Sequence, residues 1–180
     1  GPIFRAEHFF PQLDDPRAGT PQKYTQAIYF LLLGLIQKLV FASWLASTFV
    51  ETVFKYPAQS SALSVAAAMA AYSLQIFFDF AGYTLIVTGL GLLLGYQLPE
   101  NFRQPYLAAD LQAFWQRWHI SLSSFIRDYI YIPLGGNQKG FAHAQLYLLV
   151  AMLISGLWHG ASLCFIVWGL LHGLGVLWVR

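Results

Sequence analysis

The 180 residues are 57% hydrophobic and 17% aromatic, and only 10% are charged, for a net charge of +2; an average soluble domain carries about 25% charged residues. So small a domain cannot hide that much apolar surface from water, which leaves the bilayer as the solvent. A lone cysteine, Cys164, excludes a disulfide scaffold, and a weak, scattered positive charge excludes nucleic acid as a partner.

Gly1-Pro2-Ile3 opens the chain without an initiator Met or a charged signal region, and Arg180 directly follows an apolar stretch. Both ends are therefore expected to be internal points of a longer polypeptide. Residues 1–25 are polar, with Pro2, Pro11, Pro16 and Pro21 spaced through them, which predicts a surface connection with one short turn at most. Residues 26–49 read as a membrane helix interrupted by Gln37 and Lys38, long enough to cross a hydrocarbon core of about 30 Å. Residues 51–60, with Lys55 and Pro57, read as a short loop.

From Ser61 to Tyr96 the only charge is Asp79. One straight helix of that length would measure about 54 Å, too long for a perpendicular crossing, so a break near Gly82 or a strong tilt is expected, with the break preferred. Residues 97–143 are more polar and are punctuated by Pro99, Pro105 and Pro133. Leu111, Phe114, Trp115, Trp118, Leu122, Phe125, Ile126 and Tyr129 recur at helical spacing, with Arg117, Ser121, Ser124 and Asp128 on the opposite row. That pattern predicts an amphipathic helix lying in the interface or re-entering against other helices. Residues 144–179 are apolar again but contain His159 and His172, and Gly156 and Gly160 flank the first of these. A break there would give two short helices. The fold class is therefore all-α, a polytopic membrane bundle with an amphipathic signature segment.

Polar groups inside apolar helices are expensive in lipid, so they carry the functional information. His159 titrates near neutral pH and can act as a general base; the structural alternative is a neutral imidazole bonded to a backbone carbonyl. His119 stands beside Trp118 at the edge of the stripe, where an interfacial structural role competes with a catalytic one. His172 lies 13 residues beyond His159, roughly 20 Å along a continuous helix and on another face, so the two share a site only if the chain bends. Asp79 must be protonated, hydrogen-bonded or paired with a cation such as Lys38 or Arg117. Arg117 and Arg127 suit a phosphate-rich donor, or else belong to a solvated helix face. Ser121, Ser123 and Ser124 can equally cap and turn helices. No metal-ligand spacing appears.

The runs Phe114-Trp115-Gln116-Arg117-Trp118-His119-Ile120-Ser121-Leu122-Ser123 and Arg127-Asp128-Tyr129-Ile130-Tyr131-Ile132-Pro133-Leu134-Gly135-Gly136-Asn137 resemble the signature segment of the membrane-bound O-acyltransferases. Gly156-Leu157-Trp158-His159-Gly160-Ala161 and Trp168-Gly169-Leu170-Leu171-His172-Gly173 are similar to the segment that holds this family's invariant histidine. Phe78-Asp79-Phe80-Ala81-Gly82-Tyr83 and Leu98-Pro99-Glu100-Asn101-Phe102 resemble the bacterial branch that acetylates exported polysaccharides. The resemblance covers nearly the whole chain, as the middle of a family member. It implies a multi-pass inner-membrane enzyme moving an acetyl group from acetyl-CoA to an exported polysaccharide or a carrier, with no bound cofactor and with a periplasmic acetyltransferase as partner. By position, His159 matches the invariant catalytic histidine and His119 a second one; Arg117, Arg127, Asp79 and Trp118 are candidate substrate-binding residues. Alginate-type proteins commonly continue the Asp79 motif with a Ser-Asp pair, whereas Thr84-Leu85 follows here. The acceptor therefore stays open among alginate, peptidoglycan, cellulose and other glycans. The competing class is a transporter or channel, in which broken helices with midplane polar groups bind a solute.

Overall fold

The computed structural model describes residues 2–14 and 21–179; Gly1, Pro16 and Arg180 lie outside them. The described chain is helical apart from an isolated bridge and connecting turns, and falls into two compact units, residues 3–99 and residues 100 onward. Among the described residues, three helices are long and apolar enough to cross a membrane: Lys23–Lys55, Ala62–Leu93 and Phe141–His159. Their exposed surfaces carry many large apolar side chains, among them Leu32, Leu39, Met69 and Leu146, as a lipid-facing surface requires.

In the first unit the connection expected over residues 1–25 instead contains a nine-residue helix, α1 (Ala6–Asp14), with Pro11 inside it. In so short a helix the proline costs a single backbone hydrogen bond. Compensation comes from outside: Gln12 Nε2 donates to the Gln97 carbonyl (3.2 Å) and Gln12 Oε1 accepts from the Gln97 N–H (2.7 Å), while Phe9 packs against Tyr96. Helix α2 (residues 21–55) runs past the expected loop start at Glu51. It is α-helical over Pro21–Leu35 and widens into π-helical turns over Ile36–Ala42 and Ala46–Val50.

Helix α3 (Ala62–Leu93) is continuous and passes through Phe80-Ala81-Gly82 without the preferred break. Ser61 caps its start by accepting from the Ser64 N–H at 3.1 Å. At its end the Gly95 N–H bonds the Leu92 carbonyl and the Tyr96 N–H the Gly91 carbonyl, with Gly95 at φ +90°. This is a Schellman stop, in which a left-handed glycine satisfies the last carbonyls. Gly82 serves packing instead of breaking: a Cβ there would lie 2.8 Å from the Gly34 carbonyl oxygen. Small residues let α2 and α3 touch backbone to backbone, the main source of helix association in lipid.

The charges expected to be costly in lipid meet across that contact, where Lys38 Nζ donates to Asp79 Oδ1. Lys38 sits on the first π-helical stretch. Removing one partner leaves the other as a lone ion in an apolar helix, at about 2.5–3.5 kcal/mol on insertion scales. Lys38→Met and Asp79→Leu are each expected to lower the amount of membrane-inserted protein, and the double substitution to recover most of it. Quantitative blotting of membrane fractions measures this; a double variant no better than the singles would refute the pairing.

In the second unit the expected helix over residues 111–130 is interrupted. Helix α4 (Leu111–Trp115) is capped by Asp110, whose Oδ1 accepts from the Ala113 N–H at 2.7 Å. The chain then turns through Trp118 and His119 before α5 (residues 120–134), which is π-helical over Arg127–Tyr131. Helices α6 (Phe141–His159) and α7 (Leu163–Trp178) pack as a hairpin joined at Gly160–Ser162. Their backbones approach closely at Gly156, where a Cβ would lie 2.2 Å from the Phe165 carbonyl oxygen.

Candidate active site

His119 is the more buried of the two sequence-predicted catalytic histidines, with 2% of its surface exposed. Its backbone lies in the left-handed region (φ +44°, ψ +53°), a conformation that costs a non-glycine residue about 1–3 kcal/mol and persists only where neighbours enforce it. The neighbours here are residues 101–103, which run antiparallel to 117–120. The Ile120 N–H donates to the Asn101 carbonyl (3.0 Å), the Arg103 N–H donates to the Arg117 carbonyl (2.9 Å), and Phe102 bridges to Trp118. Inside this clamp the Asn101 side chain is 1% exposed. Its Oδ1 lies 3.1 Å from His119 Nδ1 and accepts from Ser121 Oγ (2.7 Å) and the Ser121 N–H (3.2 Å).

His159 ends α6, and Gly160 reverses the chain immediately after it. Its ring therefore lies at the hairpin tip, on the exposed surface of this chain. It is edge-on to Trp158 (5.1 Å between centroids) and Trp168 (5.1 Å), and stacks at 5.9 Å on Phe165. Trp158 also meets His119 edge-on at 5.7 Å, so one indole touches both imidazoles. The hairpin brings His172 into the same cluster, 4.5 Å from Trp168 and 5.3 Å from Trp115. The bend that sequence reasoning required for a shared site is thus present.

The candidate binding residues separate. Arg127 lines a cleft of about 380 Å³ together with Gln112, Gln116, Ser123, Ser124 and Tyr131, over an apolar wall that includes Met152 and Val176. Its Nε donates to Asp128 Oδ1 at 2.7 Å. Neither His119 nor His159 lines this cleft. Arg117 Nη1 reaches the Leu107 carbonyl at 3.5 Å, and Trp118 stacks on Phe114 and meets Phe102 edge-on. Asp79 belongs to the first unit and is engaged by Lys38.

Residues 1–179 match the membrane-bound O-acyltransferase family (MBOAT). The chain belongs to that family. It is 39% identical over 174 residues to the probable alginate O-acetylase AlgI of Pseudomonas putida, covering 97% of this chain and 35% of the relative. To the peptidoglycan O-acetyltransferase of Helicobacter pylori it is 38% identical over 178 residues, 98% of this chain and 34% of the relative. The teichoic acid D-alanyltransferase of Bacillus subtilis is 30% identical over 189 residues, 97% of this chain and 46% of the relative. The chain thus spans about a third of the length of the first two relatives.

In this MBOAT chain, sequence reasoning missed Asn101 as a partner of His119. Its only sign was a polar residue after Leu98-Pro99-Glu100, and nothing in that pattern places it beside residue 119. Burial, reinforced by the proximity of His159, pushes the His119 pKa down to about 4. The imidazole is therefore neutral at physiological pH. As pH falls from about 6.5 towards 4, the unfolded chain takes up a proton that folded His119 refuses, and stability drops by up to about 1.4 kcal/mol per pH unit from this residue. Thermal unfolding of the detergent-solubilised protein is expected to shift down between pH 7 and 5, and to shift less in His119→Gln. Equal shifts in the two proteins would contradict a neutral His119.

Proposed function

We propose that this chain is part of a multi-pass inner-membrane O-acyltransferase. It would move an acetyl group from acetyl-CoA to an exported polysaccharide or to a carrier serving one. The carrying observation is that the rings of His119 and His159 both contact one indole, Trp158, at the tip of a helix hairpin. The relatives support the class: their names describe acetylation of alginate or peptidoglycan and D-alanylation of teichoic acid, all acyl transfers. That favours an enzyme over the transporter left open by sequence.

In this reading His159 removes the proton from the acceptor hydroxyl as its oxygen attacks the thioester carbonyl. The carbon–sulfur bond then breaks, and the proton passes to the departing thiolate. General-base help of this kind contributes about 10²–10⁴-fold in rate. His119 orients the acceptor or stabilises the developing oxyanion. Arg127, which lines the cleft, and Arg117 bind the donor's phosphates, and Trp118 backs them with aromatic surface. Asp79 acts through its ion pair with Lys38. A periplasmic acetyltransferase completes delivery to the glycan, with alginate as the first acceptor to try.

The test is incubation of the purified full-length protein with acetyl-CoA labelled in the acetyl group. Release of free CoA with transfer of label to an alginate or peptidoglycan acceptor, or to the protein itself, is the expected result. Solute flux without thioester turnover would replace the enzyme by a transporter.

A further inference from the structure

Which ring nitrogen of His119 carries the proton decides which of its two proposed roles it can play. Heavy-atom distances do not give a tautomer directly, but the surrounding donors do. Asn101 Oδ1 and Nδ2 differ only in hydrogen-bonding character, so the amide orientation is fixed by what faces it. One facing group is the Ser121 backbone N–H, which can only donate, 3.2 Å from the Asn101 atom. That atom must therefore be the oxygen; an amide NH₂ there would set two donors against each other. The same oxygen accepts from Ser121 Oγ at 2.7 Å and lies 3.1 Å from His119 Nδ1. Facing an acceptor, Nδ1 must hold the proton, and in a neutral imidazole Nε2 then holds the lone pair.

We infer that Asn101 is a positioning residue that locks His119 in its Nδ1–H tautomer, so that Nε2 carries the lone pair and cannot act as a donor to the oxyanion. The proposal rests on the O-acyltransferase reading for its functional half and on the Asn101 clamp for its structural half. Three features support the clamp as a built device. Asn101 is 1% exposed although its Nδ2 is buried without a hydrogen-bond partner among the described residues, so its polar character is kept at a cost. The backbone bonds on either side of it enforce the left-handed conformation of His119. Ser121 supplies two donors that leave the amide one orientation.

The assignment is tested on the full-length protein labelled with ¹⁵N-histidine, with the His119 signals identified by their loss in His119→Gln. The wild-type spectrum is expected to show a protonated Nδ1 and an unprotonated Nε2. A protonated Nε2 in the neutral ring would overturn the proposal whether or not the protein turns over acetyl-CoA, which separates its failure from failure of the enzyme reading. In turnover, Asn101→Ala is expected to lower kcat by about 10²–10⁴-fold, the scale of losing a tautomer lock in a hydrolase triad. Asn101→Asp, whose carboxylate accepts the same bonds, is expected to recover kcat to within about tenfold of wild type. An alanine variant as fast as wild type would refute the positioning role. So would a loss that aspartate does not recover, since that is the signature of packing alone.

Discussion

Replacing His159 by alanine is expected to reduce acetyl transfer by about 10²–10⁴-fold while leaving the protein folded and inserted. The separation of the two effects follows from where the ring lies. His159 occupies the last turn of α6 and is exposed, held among the edges of Trp158 and Trp168 and the face of Phe165. Losing it opens no sealed core, so little stability goes with it. His159→Gln, which keeps hydrogen-bonding capacity but cannot take up a proton, should be nearly as inactive as alanine. Turnover of labelled acetyl-CoA, read beside membrane-fraction blots and thermal unfolding, gives both halves. Acetylation surviving in cells that carry only the alanine variant would remove His159 from the mechanism.

The second expectation concerns the hairpin that carries that ring. Gly156→Ala adds one methyl group, but its carbon would sit 2.2 Å from the Phe165 carbonyl oxygen. The obstacle is backbone, which cannot rotate away as a side chain would. Helices α6 and α7 must separate, at a cost of about 1–3 kcal/mol from overpacking. Trp168 and His172 ride on α7, so the aromatic cluster around His159 shifts with it, and misplacement by about 1 Å can cost 10²-fold in rate. Gly156→Ala should therefore lower both the unfolding temperature and turnover. Ala142→Val, on the exposed start of the same helix, should change neither appreciably. Equal behaviour of the two variants would show that the close approach at Gly156 does not hold the hairpin.

Much of this architecture is legible in the residues, and what is not has identifiable physical causes. The apolar runs announce their helices because lipid leaves the backbone no alternative. Gly82 misleads because glycine has two uses in a membrane helix: it can relax the backbone, or it can admit a neighbour. Here the neighbour is Gly34, a residue 48 positions away that no local pattern connects to it. Along residues 111–130 the apolar spacing is sound, yet helix periodicity cannot register one non-glycine residue held at positive φ. His119 adopts that conformation because residues 101–103 pull it there. The π-helical turns of α2 and α5 are silent for a similar reason, since they insert a residue into a turn without altering composition.

For the site, the histidines stand out as polar groups in apolar surroundings, whereas their arrangement depends on the chain reversal at Gly160–Ser162. Trp168 and His172 stand one turn apart on α7, and that reversal brings Trp168 against His159, although sequence spacing puts the two histidines on different faces.

The most direct test of the account is the structure of the full-length protein with a non-hydrolysable acetyl-CoA analogue bound. The carbon replacing the thioester carbonyl should lie beside the His159 and Trp158 rings, leaving room for one hydroxyl oxygen about 3–3.5 Å from that carbon and within hydrogen-bond reach of the His159 imidazole. An analogue bound elsewhere, with the His159 ring turned to lipid and closed off from both faces of the membrane, would contradict it.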